Sequence, residues 1–474
     1  MAVPQNPAVS SVDNFFLLVI SFFIFFIQAG LAFLEAGASR LKNTTDIIIK
    51  KMIILFTCAL MYWLFGYAFA WGEKSNLFLS HSNFALSDLP ESTNIYVHWL
   101  LHFTLAAFTC SIVSGALAER TNFTVYTLFT VLMSGFIYPV VTHWCWHEEG
   151  WLKKGDDETL GEGVSFQDFA GSGVIHVTAG TMALVGSAVI GPRCGRFERG
   201  KPVPIGGHTV PLAAFGGYVC LLGFLAVICG NQGHVTSRGD TEAIALIAIN
   251  TILSSSGGAL TAFFIRRTWG ACYGHHSSVL TMINGALTGA VSISAGGNEM
   301  HPYAAFIVGF IAGATYIAWD IVLLHLKIDD PVTATSVHLG GGMWGLLAAP
   351  LLDKNDGILY VGDKLSFKLL GWNLLGGVAI IVWSALISAI LFLSLRFFKK
   401  LKVTAEAEAK GLDISKHGEP AYPIGAYAES SSYQYPKTVL VNERTNPAFS
   451  NMDASMSSQP SESMNTRGST SAMS

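Results

Sequence analysis

The chain has 474 residues, 51% hydrophobic and only 13% charged, about half the charged share of an ordinary soluble protein. That composition excludes a soluble globule and predicts a polytopic membrane protein. The net charge of −4 comes without any long basic tract, so no nucleic-acid partner is expected.

Cys58, Cys110, Cys145, Cys194, Cys220, Cys229 and Cys272 fall in or beside apolar runs, where cysteine is more often a small hydrophobe than a disulfide partner. No metal-ligand spacing and no cofactor motif is found. A spanning helix needs roughly 20 mostly apolar residues. About eleven runs qualify, centred near Ile24, Leu60, Ala107, Leu132, Leu184, Leu222, Ile252, Leu287, Phe310, Leu346 and Ile387. The first run lacks the basic start of a signal peptide and is long enough to stay as a span. With the N-terminus outside, the cytosolic loops carry 16 Lys and Arg against 7 in the outer loops, which predicts N outside and C inside. The sequons at Asn43 and Asn122 then face the cytosol and are expected to stay unmodified.

The fifth run opens with "DFAGSGVIHVTAG" and the tenth with "DDPVTATSVHLGGG". Asp168 precedes His176 by eight residues, and Asp330 precedes His338 by eight. The two histidines are 162 residues and five runs apart, so the two halves must cross the bilayer in opposite directions. The expected fold is an all-α polytopic membrane protein of about 11 transmembrane helices, an inverted five-helix repeat plus a final helix. The expected organisation is a membrane domain over 1–401, with repeats at roughly 12–192 and 208–351 and a last helix at roughly 367–398. A cytoplasmic motif over 402–423 and a serine-rich disordered tail over 424–474 complete it.

A lone histidine on an apolar face is usually a packed residue, but ionisable groups in a bilayer face a cavity or each other. Two at equivalent positions of a repeat therefore suggest a narrow path between the halves. Desolvation disfavours imidazolium, so neutral rings, each with one donor and one acceptor nitrogen, suit a small hydrogen-bonding solute or a proton hop.

Seven stretches in order resemble the ammonium transporter family (Amt/Mep/Rh), and its Amt branch more closely, in a eukaryotic type with a long C-terminal tail. They are "QAGLAFLEAGASRLKN", "SGALAER", "YPVVTHWCWHEEGWL", "DFAGSGVIHV", "NGALTGAVSISA", "DDPVTATSVHLGGGMWG" and "GLDISKHGEPAYP". The resemblance implies a homotrimer in the plasma membrane, each protomer with its own pore for ammonium or ammonia and for methylammonium, and no enzymatic activity. His176 and His338 would be the twin histidines of the pore. Trp146 and Asp168 would shape the recruitment site at its outer mouth. Without the resemblance, Trp146 reads as an interfacial belt tryptophan and Asp168 as an N-cap.

The pattern breaks at the mouth. The two phenylalanines that usually gate the pore fall at Leu105 and Val227, and the usual vestibule serine at Asn231, whose amide oxygen can still accept from ammonium. A usual acidic residue in the tenth span is Thr333. Ser415, in the tail motif that docks on a neighbouring protomer in the family, matches a hydroxyl that is a phosphorylation switch in some relatives. These departures keep open a non-conducting ammonium sensor or regulatory subunit of the same fold. A haem protein is disfavoured because each helix holds one histidine, and a metal transporter because carboxylates are lacking nearby.

Overall fold

The computed structural model describes residues 7–87, 89, 94–155, 163–273 and 278–427. Nine helices in them are long and apolar enough to cross a membrane. These are α1 (Ser10–Ala38), α2 (Leu41–Trp71), α3 (Ile95–Ala116), α4 (Phe123–Lys154), α5 (Ser172–Ile190), α6 (Val210–Gly230), α7 (Asp240–Thr268), α9 (Pro302–His325) and α11 (Lys364–Phe397). The eighth and tenth apolar runs are helical but shorter: α8 is Val279–Ile293, and α10 is Thr335–Gly340 continuing into Gly341–Leu352.

Local chemistry starts the helices where the apolar runs begin. Ser278 and Asp363 cap α8 and α11 through side-chain oxygens that accept from the backbone N–H of Thr281 and Ser366. Proline occupies the first turn of α6 and α9, where its missing N–H leaves nothing unpaired. Burial then sorts the helices into layers. The apolar window of α3 is 89% buried and that of α11 only 22%. So α3 is central, while α11 presents Leu386, Ile390 and Leu393 outward, as a lipid-facing helix does.

Several helix crossings rest on glycine, and two of them join α1 to α6 and α5 to α10. A Cβ on Gly216 in α6 would lie 2.2 Å from the backbone nitrogen of Leu34 in α1, so α1 and α6 touch backbone to backbone. The second crossing joins α5 to α10. A Cβ on Gly180 would meet the Leu339 nitrogen at 2.3 Å, and one on Gly342 would meet the Ser172 carbonyl at 2.6 Å. Each glycine lies four residues after a histidine and packs beside the other histidine's helix. The repeat is thus expressed as a reciprocal contact.

At the end of the bundle assigned to the cytosol, four loops and the tail meet in one buried ion-pair cluster. Arg40 pairs with Glu119; Arg193 reaches Glu119 at 3.1 Å and Asp329 at 2.8 Å; Arg196 reaches Asp329 at 3.2 Å. Glu408, on the short helix α12 (Ala405–Lys410), accepts from the Cys194 backbone at 2.6 Å. Burial alone would raise both loop carboxyls, but Arg193 and Arg40 bring Glu119 down to about 2, and Arg193 and Arg120 hold Asp329 below the usual carboxylate range. "SGALAER", "LEAGASR" and "DDPV" therefore supply one structure.

The described residues up to Ile424 form one compact unit. The expected disordered tail lies, beyond 427, outside the described residues.

Candidate functional site

Both histidines sit on a widened, π-helical first turn, Ser172–Val177 before the rest of α5 and Thr335–Gly340 before the rest of α10. An aspartate anchors each turn. The Asp168 carboxylate accepts from the backbone N–H of Gly173 and Val174, both at 2.9 Å, and that of Asp330 accepts from Thr335 at 2.7 Å. Asp168 thus caps its helix start, as its position in the sequence suggests. The eight-residue spacing is the distance from that anchor to a ring on the first, π-helical turn.

The two rings meet. His176 Nδ1 lies 3.0 Å from His338 Nδ1, with the ring planes 20° apart and the centroids at 5.0 Å. Both side chains are buried, at 0% and 6% exposure, and His176 Nε2 has no protein partner. Two neutral rings facing each other through Nδ1 must be opposite tautomers, one donating and one accepting. One outer nitrogen is then a donor and the other an acceptor.

Leu105 and Val227 are fully buried. One helical turn farther along each helix, away from Trp146, the aromatic pair reappears. Phe108 of α3 and Phe224 of α6 lie edge to face at 5.4 Å. Phe224 stacks on His176 at 5.4 Å and Phe108 meets the same ring edge-on at 5.5 Å. Both phenylalanine rings therefore pack directly on the His176 imidazole. The sequence places Phe108 one turn from Leu105, but Phe224, three residues before Val227, was not singled out.

At the mouth, the Trp146 indole donates to the Asp168 carbonyl at 2.7 Å, so these two predicted residues are joined. They line a pocket of about 310 Å³ with Glu299 and Asp353. The Asn231 amide donates to the Val227 carbonyl at 2.8 Å, which leaves its oxygen as the acceptor. The His102 ring stands 6.0 Å from Trp146, 4.5 Å from Trp71 and 4.2 Å from His98, whose Nδ1 is 2.9 Å from the Tyr67 hydroxyl. These mouth rings were not singled out in the sequence; the i, i+4 spacing of His98 and His102 was the available signal.

A partly open space of about 30 Å³ is lined by His338, Phe108, Phe224, Asn284 and Glu35. Thr333, where an acid is usual, accepts from the Asn284 amide at 2.8 Å. Far from the rings, Ser415 donates to the Gly411 carbonyl at 2.6 Å. Its segment docks on the same chain: the Asp413 carboxylate accepts from the Asp46 backbone at 2.9 Å, and His417 lies 3.0 Å from the Asp46 carboxylate. Among the described residues no group of His, Cys, Asp and Glu is arranged to hold a metal ion.

Residues 15–422 match the model of the Ammonium Transporter Family. The chain belongs to that family. It is 40% identical over 438 residues to a putative ammonium transporter 1 of Caenorhabditis elegans, a match covering 88% of this chain and 80% of that protein. It is 35% identical to ammonium transporter 1 member 3 of Solanum lycopersicum, covering 87% and 93%. Among solved structures it is similar to a protein described as a sensor Amt protein (TM-score 0.79, 26% identity, covering 86% and 99%). It also resembles Mep2 of Candida albicans (TM-score 0.76, 23% identity, 94% of each chain), which shows the shared fold. Family membership places this chain among multi-pass membrane transporters and channels.

Proposed function

We infer that this chain conducts ammonium or ammonia, and methylammonium as a close analogue, through a pore in each protomer at the paired histidines, within a plasma-membrane homotrimer whose C-terminus is cytosolic. The observation that carries this reading is the 3.0 Å contact of two buried histidines at equivalent positions of the repeat.

Trp146, Asp168 and the Asn231 oxygen form the recruitment site. An indole face attracts a cation by roughly 0.5–2 kcal/mol, and the amide oxygen accepts one of its N–H groups. Phe108 and Phe224 then leave no room for a hydration shell, and an intact cation faces a large desolvation cost there. The proton is therefore shed and neutral ammonia enters. Ammonia donates and accepts at once, so it matches the one donor and one acceptor nitrogen of the opposed imidazoles. A proton follows separately along the same nitrogens, each ring taking one on one side and releasing one on the other.

The test is growth of cells lacking their own ammonium transporters on low ammonium. Restored growth supports conduction. A surface-expressed chain that restores none would be a sensor rather than a transporter.

A further inference from the structure

Inside the membrane region stands a complete ion pair that conduction of ammonia alone does not require. Glu35 of α1 and Lys51 of α2 are 2% and 4% exposed, and they pair directly. The Ser114 hydroxyl of α3 donates to Glu35 at 3.0 Å, and Lys51 donates to the Ser111 carbonyl at 2.8 Å. Three spans thus meet at one carboxylate. Charges at such depth are costly and in general face a cavity or a partner; here the carboxylate does both.

Glu35 lines the same partly open space as His338, and it is the charged residue among those lining it. A Cβ on Gly115 would lie 3.0 Å from its Oε1 and 2.5 Å from Val332, which also lines the space, so Gly115 leaves room for both side chains. A space of about 30 Å³ admits a water molecule, which needs roughly 10–15 Å³. Water can therefore enter the space that the imidazole and the carboxylate both line.

We propose that Glu35 is the proton carrier on the inner side of the pore, returning the relayed proton to ammonia after it passes His338. This rests on the reading of the paired histidines as a conduction path. A proton on His338 passes by way of water in this space to Glu35: the N–H bond breaks, its electron pair stays on the imidazole, and an O–H bond forms on the carboxylate. Ammonia arriving in the same space takes that proton. The O–H bond breaks, a fourth N–H bond forms, and the carboxylate is restored beside Lys51. One ammonia and one proton leave as one ammonium ion. Lys51 offsets the carboxylate charge, so the resting site has no net charge to trap a cation.

The experiment records ammonium-evoked current and labelled methylammonium uptake in the same cells, per surface protein, for the wild type, Glu35→Asp and Glu35→Gln/Lys51→Met. The double variant removes both charges, so no buried charge is left unpaired. Glu35→Asp keeps the pair and serves if the double variant fails to reach the surface. The proposal expects uptake to persist in both while charge carried per solute falls, severalfold in Glu35→Asp and about tenfold or more in the double variant. A wild-type ratio in whichever variants reach the surface overturns it, making the pair a brace between helices. Wild-type uptake without current also overturns it and leaves the transport reading standing. Wild-type cells with neither uptake nor current overturn both.

Discussion

Gly180 and Leu339 touch backbone to backbone: a Cβ on the glycine would lie 2.3 Å from the leucine nitrogen. That contact, with its counterpart at Gly342, sets the approach of α5 to α10 and so the 3.0 Å between the histidine nitrogens next to it. A methyl group there cannot be absorbed by a flexible side chain. Gly180→Ala is expected to cost about 1–3 kcal/mol and to lower transport more than surface expression. Thermal unfolding of the purified protein and uptake per surface protein measure the two effects separately.

The second expectation concerns the aromatic pair. Phe108 and Phe224 pack on His176, so Phe108→Ala removes about half the ring surface packed on it. Larger amines such as dimethylammonium should then permeate relative to methylammonium, with the Phe224→Ala variant moving in the same direction. Competition of both amines against labelled methylammonium reads this out. Unchanged selectivity in both variants would return the two rings to core packing.

At the mouth, Trp146→Leu is expected to raise KM for ammonium several-fold with less effect on maximal rate, since an indole face is worth about 0.5–2 kcal/mol to a cation. His102→Leu should act in the same sense, because its ring faces Trp146 at 6.0 Å. Uptake against ammonium concentration separates KM from maximal rate; equal KM values would place recruitment elsewhere.

The docked tail should respond to charge and to pH. Ser415→Asp loses the hydroxyl donation to Gly411 and adds negative charge on the turn that carries Asp413; phosphorylation would add roughly −1.5 to −2. Ser415→Asp is expected to lower uptake per surface protein, Ser415→Ala to stay near wild type, and removal of the chain after Pro423 to change little. The hydrogen bond to Asp46 raises the His417 imidazole above its ordinary 6.5, against partial burial. A raised value means the stabilisation is fully present below 6.5 and fades as cytosolic pH rises through the raised value. Alkalinising the cytosol should therefore loosen the tail, and His417→Gln should flatten that response.

Much of the fold was legible because membrane spans are written as apolar runs: each of the eleven runs corresponds to a helix, although α8 and α10 are shorter than a full span. The histidine pair was legible because the repeat preserves the eight-residue step from an aspartate anchor. What was not legible depends on register between distant helices. Leu105 and Val227 read as a lost gate, yet Phe108 and Phe224, one turn away on the same helices, pack on each other and on His176. Glu35 passed as part of a family stretch, though a carboxylate inside an apolar run and a lysine at 51 in the next run are a signal in themselves. Nothing local shows that they meet under His338.

The most direct measurement is labelled methylammonium uptake per surface protein in cells lacking their own transporters, comparing wild type with His176→Ala and His338→Ala. The account predicts saturable, ammonium-inhibited uptake in the wild type. Both variants should fold and reach the membrane but lose that uptake or conduct with altered selectivity, because the path needs paired imidazole nitrogens rather than bulk. Wild-type flux and selectivity in both variants would contradict it and make the histidines packing residues.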